Sequence, residues 1–244
     1  MRALEHLNAH DISTTLVVTV KKGLNDHELG EIVEFALCQP CVRGVTFQPI
    51  QAAGRLENYD PARDRLTLTE VRRRILEQTS VFEADDLIPV PCNPDCLAMA
   101  YALKLGANTV PLTRFVKPET LVAKGRNTIV VERDEQLRAH VFELFATNHS
   151  PESQACSLAD LLCCLPQVQA PTDLSYRNVF RVLIMQFIDA MSFDLRAVKK
   201  SCVHIAQPDG TIVPFDTFNL FYRDERRERL ARLRAAADAS SATY

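Results

Sequence analysis

The sequence lacks three features that would assign it to a membrane, a secretory route or a nucleic acid. No apolar run approaches the length of a membrane span, and residues 1–6 contain no signal-peptide apolar region. The formal net charge of -3 gives no reason to expect nucleic-acid binding. We therefore expect a cytoplasmic protein with no membrane span and no nucleic-acid partner.

The composition is otherwise ordinary apart from its cysteines. With 47% hydrophobic and 24% charged residues, a chain of 244 residues can bury a core in one domain or two. No catalytic-cysteine signature surrounds any of the eight cysteines. Because a reducing location disfavours disulfides, these cysteines are expected to be metal ligands or core residues.

The N-terminal part of the chain has the pattern of a βαβ unit. The continuous β-prone run Thr14–Val20 predicts a strand buried on both faces, as in a parallel sheet. A helix is predicted from about Asn25, which can cap it together with Glu28 in a capping box. A second buried strand is predicted at 45–50, which completes the unit.

Two cysteines stand three residues apart in the segment 91–96, directly before a predicted helix at Leu97–Leu105. Asn93 is a suitable N-cap, which places Cys96 in the first helical turn, where the helix dipole favours a thiolate. Cys92 lies in the non-helical entry to that helix. The pair can offer two sulfurs to one metal or one iron–sulfur cluster, or it can be two small buried apolar residues.

The segment after the second strand is polar, with Gln48, Gln51 and Arg55 close together. In α/β barrels the loops at the C-terminal ends of the strands build the active site. Arg55 could therefore hold a carboxylate or phosphate, or it could be a solvated surface residue.

The rest of the chain predicts further helices and a hairpin. Helices are predicted at 67–78, which begins with a capping box, at 134–147, over a short stretch from Ser157, and at 175–193, the last strongly apolar. Two β-prone runs flank Pro-Asp-Gly at 208–210, which predicts a hairpin turn. Strand alternation places Cys202 and His204 on one face, where a metal could use them or where His204 could be a hydrogen-bonded structural group.

Four stretches resemble radical S-adenosylmethionine enzymes, in the branch of tetraether lipid synthases and pterin methyltransferase-like proteins, which are similar to molybdenum cofactor biosynthesis protein A. They occur in the family's order at 14–26, 42–55, 89–103 and 201–219. The resemblance implies an α/β fold, the C-terminal portion of a partial (β/α)₆ radical SAM barrel, followed by a mixed α+β auxiliary iron–sulfur cluster domain. It places the barrel half at 1–85, the auxiliary region at 86–223 and a solvated tail at 224–244.

The family's Cys-x-x-x-Cys-x-x-Cys motif is absent from this sequence, because Met99 stands where a third cysteine would follow Cys92 and Cys96. The chain resembles the family from near the fifth barrel strand onward. We therefore expect a fragment or a partner subunit that requires the missing N-terminal radical SAM half in cis or in trans. S-adenosylmethionine would be a cofactor only of the intact enzyme, and the substrate would be a small molecule or lipid-like.

By the same resemblance, Cys92, Cys96 and Cys202 would hold an auxiliary [4Fe–4S] cluster. Cys164 is the candidate for the fourth thiolate, because clusters of this kind favour four. The resemblance also makes Gln48 and Arg55 candidates for cofactor or substrate binding. Relatives often carry Cys-Cys where this chain has Ser201-Cys202, and Pro-Phe-Cys where it has Asp216 after Pro-Phe. These departures leave open whether the site is altered, incomplete or completed by other residues, namely Cys163, Cys156 or Asp216.

Two alternatives to an enzyme portion stay open. The first is a structural zinc module that uses Cys92, Cys96 and Cys202 with Cys164 or His204, because four sulfur or nitrogen ligands suit zinc. The second is a metal-free remnant that binds a partner through an unpaired edge of its sheet.

Overall fold

The computed structural model describes residues 2–53, 58–90, 93–105, 108–114, 178–201, 203–223, 228–229 and 232–233. The chain divides into two compact units, and each is described by itself. The first comprises Met1–Pro49 with Leu66–Gln186, and the second comprises Ile50–Arg65 with Phe187–Tyr244. The predicted helices at 134–147 and from Ser157, and most of the predicted tail, lie outside the described residues. The predicted domain boundary at residues 85 and 86 stays a prediction.

The first unit is built on a mixed sheet. Strands β1 to β6 are Thr14–Val20, Val42–Pro49, Ile88–Pro89, Leu97–Leu105, Asn108–Pro111 and Val179–Met185. Their order is β1-β2-β6-β4-β3, with β5 also beside β4. Strands β1, β2 and β6 are parallel, whereas β4 is antiparallel to its neighbours β3, β5 and β6. The predicted α/β class is therefore confirmed, and the barrel and the auxiliary domain stay proposals.

The described α-helices, α1 to α6, are at Arg2–Ala9, Leu29–Cys38, Pro61–Asp64, Leu68–Gln78, Leu195–Val198 and Phe215–Phe221. In the first unit, α2 and α4 bury Val33 and Ile75 against Phe47 of β2 and Phe180 of β6, and all four side chains are fully buried. Within the described part of the chain, no helix is long and apolar enough to cross a membrane.

The predicted capping box at the start of α4 is confirmed. Thr67 N donates to Glu70 Oε2 at 2.8 Å, and Glu70 N donates to Thr67 Oγ1 at 3.2 Å. Gln186, which follows β6, accepts from Leu68 N. Side chains thus satisfy backbone donors that the first helical turn leaves without a partner.

The predicted capping box at the start of α2 is wrong. The helix begins at Leu29 after Glu28, whose side chain makes no capping hydrogen bond. Asn25 instead fixes the preceding turn, because its side chain accepts from Lys21 N and donates to Thr19 O, each at 2.9 Å. The prediction that β1 is buried on both faces is also wrong, because its residues alternate between exposed and more buried positions. Alternate residues of β1, among them Thr15 and Val17, therefore face solvent.

The predicted helix at Leu97–Leu105 is strand β4. Its side chains alternate between the two faces of the sheet. Ala98, Ala100 and Ala102 face α2 and α4. Larger side chains, such as those of Met99 and Tyr101, are on the opposite face. Pairing on both edges, with β6 and with β3 and β5, overrides the helix propensity of alanine and leucine.

The predicted apolar helix at 175–193 is strand β6 over Val179–Met185. It lies between β2 and β4, in the interior of the sheet, so the run is apolar on both faces. A short continuous apolar run fits a buried strand and a buried helix equally well, and its Val and Ile content favours the strand.

The second unit contains the predicted hairpin. Strands β7 and β8, at His204–Ala206 and Ile212–Pro214, pair antiparallel around the Pro-Asp-Gly turn. Gly210 has a φ of 83°, the left-handed conformation that glycine adopts without strain. In the same unit, the rings of Phe187 and Phe215 lie 4.9 Å apart.

Candidate metal and ligand site

Residues 93–96 of the predicted metal-binding segment lie in the connection between two antiparallel strands. These strands are β3 and β4, and Val90 N donates to Leu97 O at 2.9 Å at the base of the connection. Asn93 O accepts from the N–H groups of both Cys96, at 3.1 Å, and Leu97, at 3.0 Å. This turn places Cys96 directly before β4, with 9% of the residue exposed. A helix dipole therefore does not act on Cys96, because no helix begins there.

Asn93 is itself buried, and its Oδ1 has no hydrogen-bond partner among the residues that the structure describes. Buried polar atoms are nearly always hydrogen-bonded in proteins, so an orphaned amide oxygen indicates a group that these residues do not supply. A nearly buried thiol and an orphaned amide within one turn are compatible with a bound metal or cluster at this connection.

The remaining predicted ligands are not tested by the structure. Cys92, Cys164 and Cys202 lie outside the described residues, as does Arg55. No group of three or more metal-ligating side chains assembles among the residues that are described. Of the other thiols, Cys41 lies in the hydrophobic core and Cys38 is exposed.

Gln48 lies near the carboxyl end of β2, in register with Thr19 of β1. Strand alternation places it with Thr46 on the sheet face opposite α2 and α4. Its side chain is half-buried. The role of Gln48 in cofactor or substrate binding stays a prediction.

In the second unit, Asp189 joins two loops that follow parallel strands of the sheet. One loop, at 50–53, follows β2 in the chain, and the other, at 186–192, follows β6. Asp189 Oδ2 accepts from Ala52 N at 2.9 Å. Its Oδ1 accepts from the N–H groups of Met191 and Ser192, at 3.0 and 2.9 Å, and from the Ser192 hydroxyl at 2.8 Å. Asp189 is 1% exposed, and it therefore fixes the backbone of the loop that leads to Arg55.

Tyr59 belongs to the same unit. Burial and the nearby carboxylates of Asp189 and Asp64 raise its pKa, and Arg65 only partly opposes them. Its hydroxyl is shielded from solvent and has no hydrogen-bond partner among the described residues. The phenol therefore stays protonated at neutral pH and has a hydrogen to donate.

The two positions that depart from the family pattern lie in contact. Ser201 Oγ donates to Asp216 Oδ2 at 2.9 Å, and Ile188 N donates to Asp216 Oδ1 at 2.7 Å. Asp216 is 7% exposed, so hydrogen bonds within the protein occupy both oxygens of a buried carboxylate. This arrangement favours a structural role for Asp216 over metal ligation.

Sequence reasoning missed Asp189 because 175–193 was predicted as a helix. The available signal was an aspartate with a serine three residues later, a spacing typical of turns in which an Asp side chain accepts from the following backbone. That signal becomes visible only once β6 is predicted as a strand that ends before residue 187.

No family model matches the sequence. The chain is 27% identical over 260 residues to a 7,8-dihydro-6-hydroxymethylpterin dimethyltransferase of Methanocaldococcus jannaschii. The match supports the radical S-adenosylmethionine family. It covers 90% of this chain and 50% of the relative, so the chain spans about half the length of the curated relative that it matches. In general, the radical S-adenosylmethionine family implies an iron–sulfur cluster and the use of S-adenosylmethionine.

Proposed function

We propose that this chain is the C-terminal part of a radical S-adenosylmethionine oxidoreductase or transferase, in which it holds an auxiliary [4Fe–4S] cluster. The observation that carries the proposal is the match that spans 90% of this chain and 50% of a dimethyltransferase. The substrate would be lipid-like or another small organic molecule.

The thiolates of Cys92, Cys96, Cys164 and Cys202 would hold the cluster, which would supply electron transfer or a binding point for the substrate. Cys96 is buried in the connection between β3 and β4, three residues after Asn93, whose Oδ1 has no hydrogen-bond partner among the described residues. Gln48 and Arg55 would contact cofactor or substrate.

Cleavage of S-adenosylmethionine would require a second polypeptide segment. The sequence contains no Cys-x-x-x-Cys-x-x-Cys motif, so the ligands of the cleaving cluster would come from an N-terminal half joined in cis or bound in trans.

The test is anaerobic expression of the full chain, reconstitution with iron and sulfide, and measurement of iron, sulfide and zinc per chain. We expect about four irons and about four sulfides. About one zinc without sulfide would instead indicate a structural zinc module.

Matched cysteine variants test the ligand assignment. We expect Cys96→Ser to lose most of the bound iron, whereas Cys38→Ser, which changes an exposed thiol, should keep it. Full iron content in Cys96→Ser would remove Cys96 from the ligand set.

A second candidate is a metal-free module that binds a partner protein. The Ser201–Asp216 hydrogen bond favours it, because the Asp216 carboxylate is already satisfied within the protein. Absence of both iron and zinc after reconstitution would select this candidate. Cluster binding gained only by the double variant Ser201→Cys with Asp216→Cys would show that these two positions decide between the candidates.

A further inference from the structure

Four exposed apolar side chains lie close together in the second unit. Met191, Phe193 and Leu195 alternate with two polar residues between β6 and the start of α5, and Phe221 is the last residue of α6. Their exposed fractions range from 38% to 64%. The rings of Phe193 and Phe221 lie 5.4 Å apart in an edge-on arrangement, which joins the end of α6 to this segment. We call these four residues the apolar patch, and such a patch is typical of an interaction surface.

The polar residues of the segment fix its backbone. Asp189 Oδ1 accepts from the backbone N–H and the hydroxyl of Ser192, at 2.9 and 2.8 Å. Asp194 caps α5, because its Oδ1 accepts from Arg196 N at 2.7 Å, and it also pairs with the guanidinium of that arginine. An ordered backbone therefore presents the apolar side chains to solvent, which lowers the entropy that binding through them would cost.

Basic residues adjoin the apolar patch. The segment 191–200 contains three basic residues and one acidic residue, although the whole chain has a net charge of -3. Lys199 is exposed, and Lys200 follows it. Lys199 N donates to Leu195 O at 3.1 Å, so these two residues stand one helical turn apart on the same side of α5. The methylene stem of Lys199 can lie along an apolar surface while its ammonium group reaches a polar layer.

We propose that the apolar patch and the adjoining lysines dock this protein onto the surface of an anionic lipid bilayer. The apolar side chains enter the boundary between headgroups and acyl chains, and the lysines contact the anionic headgroups. A bilayer surface of this kind complements both properties of the site. A second copy of the chain does so less well, because a two-fold contact brings the basic residues of one copy towards the same residues of the other.

This docking surface goes beyond the proposed function. It uses no cysteine and neither Gln48 nor Arg55, so it does not depend on the cluster assignment. It needs no membrane-spanning helix either, because interfacial binding combines shallow apolar insertion with attraction between charges. A position on a bilayer would bring the chain close to lipid-like substrates, and this consequence alone rests on the proposed function.

The test is cosedimentation of the full chain with vesicles of phosphatidylcholine mixed with phosphatidylglycerol, beside vesicles of phosphatidylcholine alone. We expect wild type to bind the mixed vesicles and to bind phosphatidylcholine alone more weakly. Sodium chloride should weaken binding to the mixed vesicles, because salt screens the attraction between the lysines and the anionic headgroups.

Two variants separate the apolar contribution from the charged one. We expect Leu195→Gln to bind the mixed vesicles about tenfold more weakly, because less apolar area is removed from water. Lys199→Gln should bind them about fivefold more weakly. The matched controls are Leu24→Gln, which changes an exposed leucine of the first unit, and Arg73→Gln, which changes an exposed arginine of α4. Both controls should bind as wild type does.

Circular dichroism and thermal unfolding check that each variant is folded. If Leu195→Gln does not fold, Met191→Gln changes another exposed side chain of the apolar patch and should weaken binding in the same direction. A dimer of wild type that dissociates in Leu195→Gln, together with no binding to vesicles, would assign the patch to a contact between copies and overturn the proposal.

Three further results would overturn it. They are a folded wild-type chain that does not bind the mixed vesicles, equal binding to both kinds of vesicle, and unchanged binding in a folded Leu195→Gln or Met191→Gln. Iron content is measured on the same samples. Vesicle binding can be absent from a chain with full iron loading, and it can be present in a chain without iron, so the two proposals fail separately.

Discussion

At the residue scale, the buried carboxylate of Asp189 accepts four hydrogen bonds. Three are backbone N–H groups and one is the Ser192 hydroxyl. Hydrogen bonds to a charged group contribute more than neutral ones, and donors left without an acceptor in a buried place are costly. We expect Asp189→Ala to lower the free energy of unfolding by about 3 kcal/mol, measured by urea denaturation. Asp85→Ala, which changes an exposed aspartate, is the control, and equal effects from the two variants would contradict the role of Asp189.

Glu70 makes the free energy of unfolding depend on pH, because its stabilising contribution is lost on acidification. Burial raises its pKa, but hydrogen bonds from Thr67 and the charges of Lys22 and Arg74 more than offset this, so the pKa lies below the ordinary value of 4.5. The stabilisation is therefore complete above pH 4.5 and is lost as the pH falls through the lowered pKa.

The variant Glu70→Ala measures this contribution. We expect a loss of about 1 kcal/mol near neutral pH and a difference from wild type that shrinks on acidification. Urea denaturation at both ends of the range checks it, with the exposed Glu77→Ala as control. If the difference in free energy of unfolding between the variant and wild type grew on acidification, it would contradict the predicted pH dependence.

At the scale of elements, the sequence predicts structure well where local chemistry decides it. Strand β2, helix α4 with its capping box and the β7–β8 hairpin follow from apolar runs, caps and turn residues. Strands β4 and β6 were predicted as helices, because their neighbours in the sheet come from distant parts of the sequence. The same error hid Asp189, whereas Gln48 and Cys96 could be predicted as candidates because each stands beside a local motif.

At Gly30 of α2, helix propensity and packing predict opposite effects of a substitution by alanine. Replacement by alanine in a helix is favourable by about 1 kcal/mol when nothing else changes. Here, however, a Cβ would lie 2.1 Å from Gln78 O of α4. We therefore expect Gly30→Ala to destabilise the chain by about 1 to 3 kcal/mol, as measured by urea denaturation. A stabilised variant would show that α2 and α4 are packed less closely than the structure has them.

At the scale of the whole molecule, β1 is an edge strand of the described sheet. It has one neighbour among the described strands, and its seven residues include no charge and no proline. Such an edge invites pairing with another strand. Val17, which is 62% exposed, lies in the middle of it.

We expect the wild-type chain to self-associate as its concentration rises, and Val17→Lys to reduce this association. Light scattering coupled to size-exclusion chromatography measures both. Leu24→Lys alters another exposed apolar residue outside β1 and should leave association unchanged. Identical mass distributions for wild type and Val17→Lys would exclude the β1 edge as the contact.

The position of β6 also sets the order in which the sheet can be completed during synthesis. Strand β6 is the last of the six strands to emerge from the ribosome, yet it occupies the place between β2 and β4. Until it arrives, β1 with β2 and β4 with β3 and β5 form separate ribbons, each with an unsatisfied inner edge. Pairing between distant segments is slow and leaves such edges open to aggregation. We therefore expect a nascent chain halted before Val179 to leave this sheet open and to be most prone to aggregation while the residues between β5 and β6 are being synthesised.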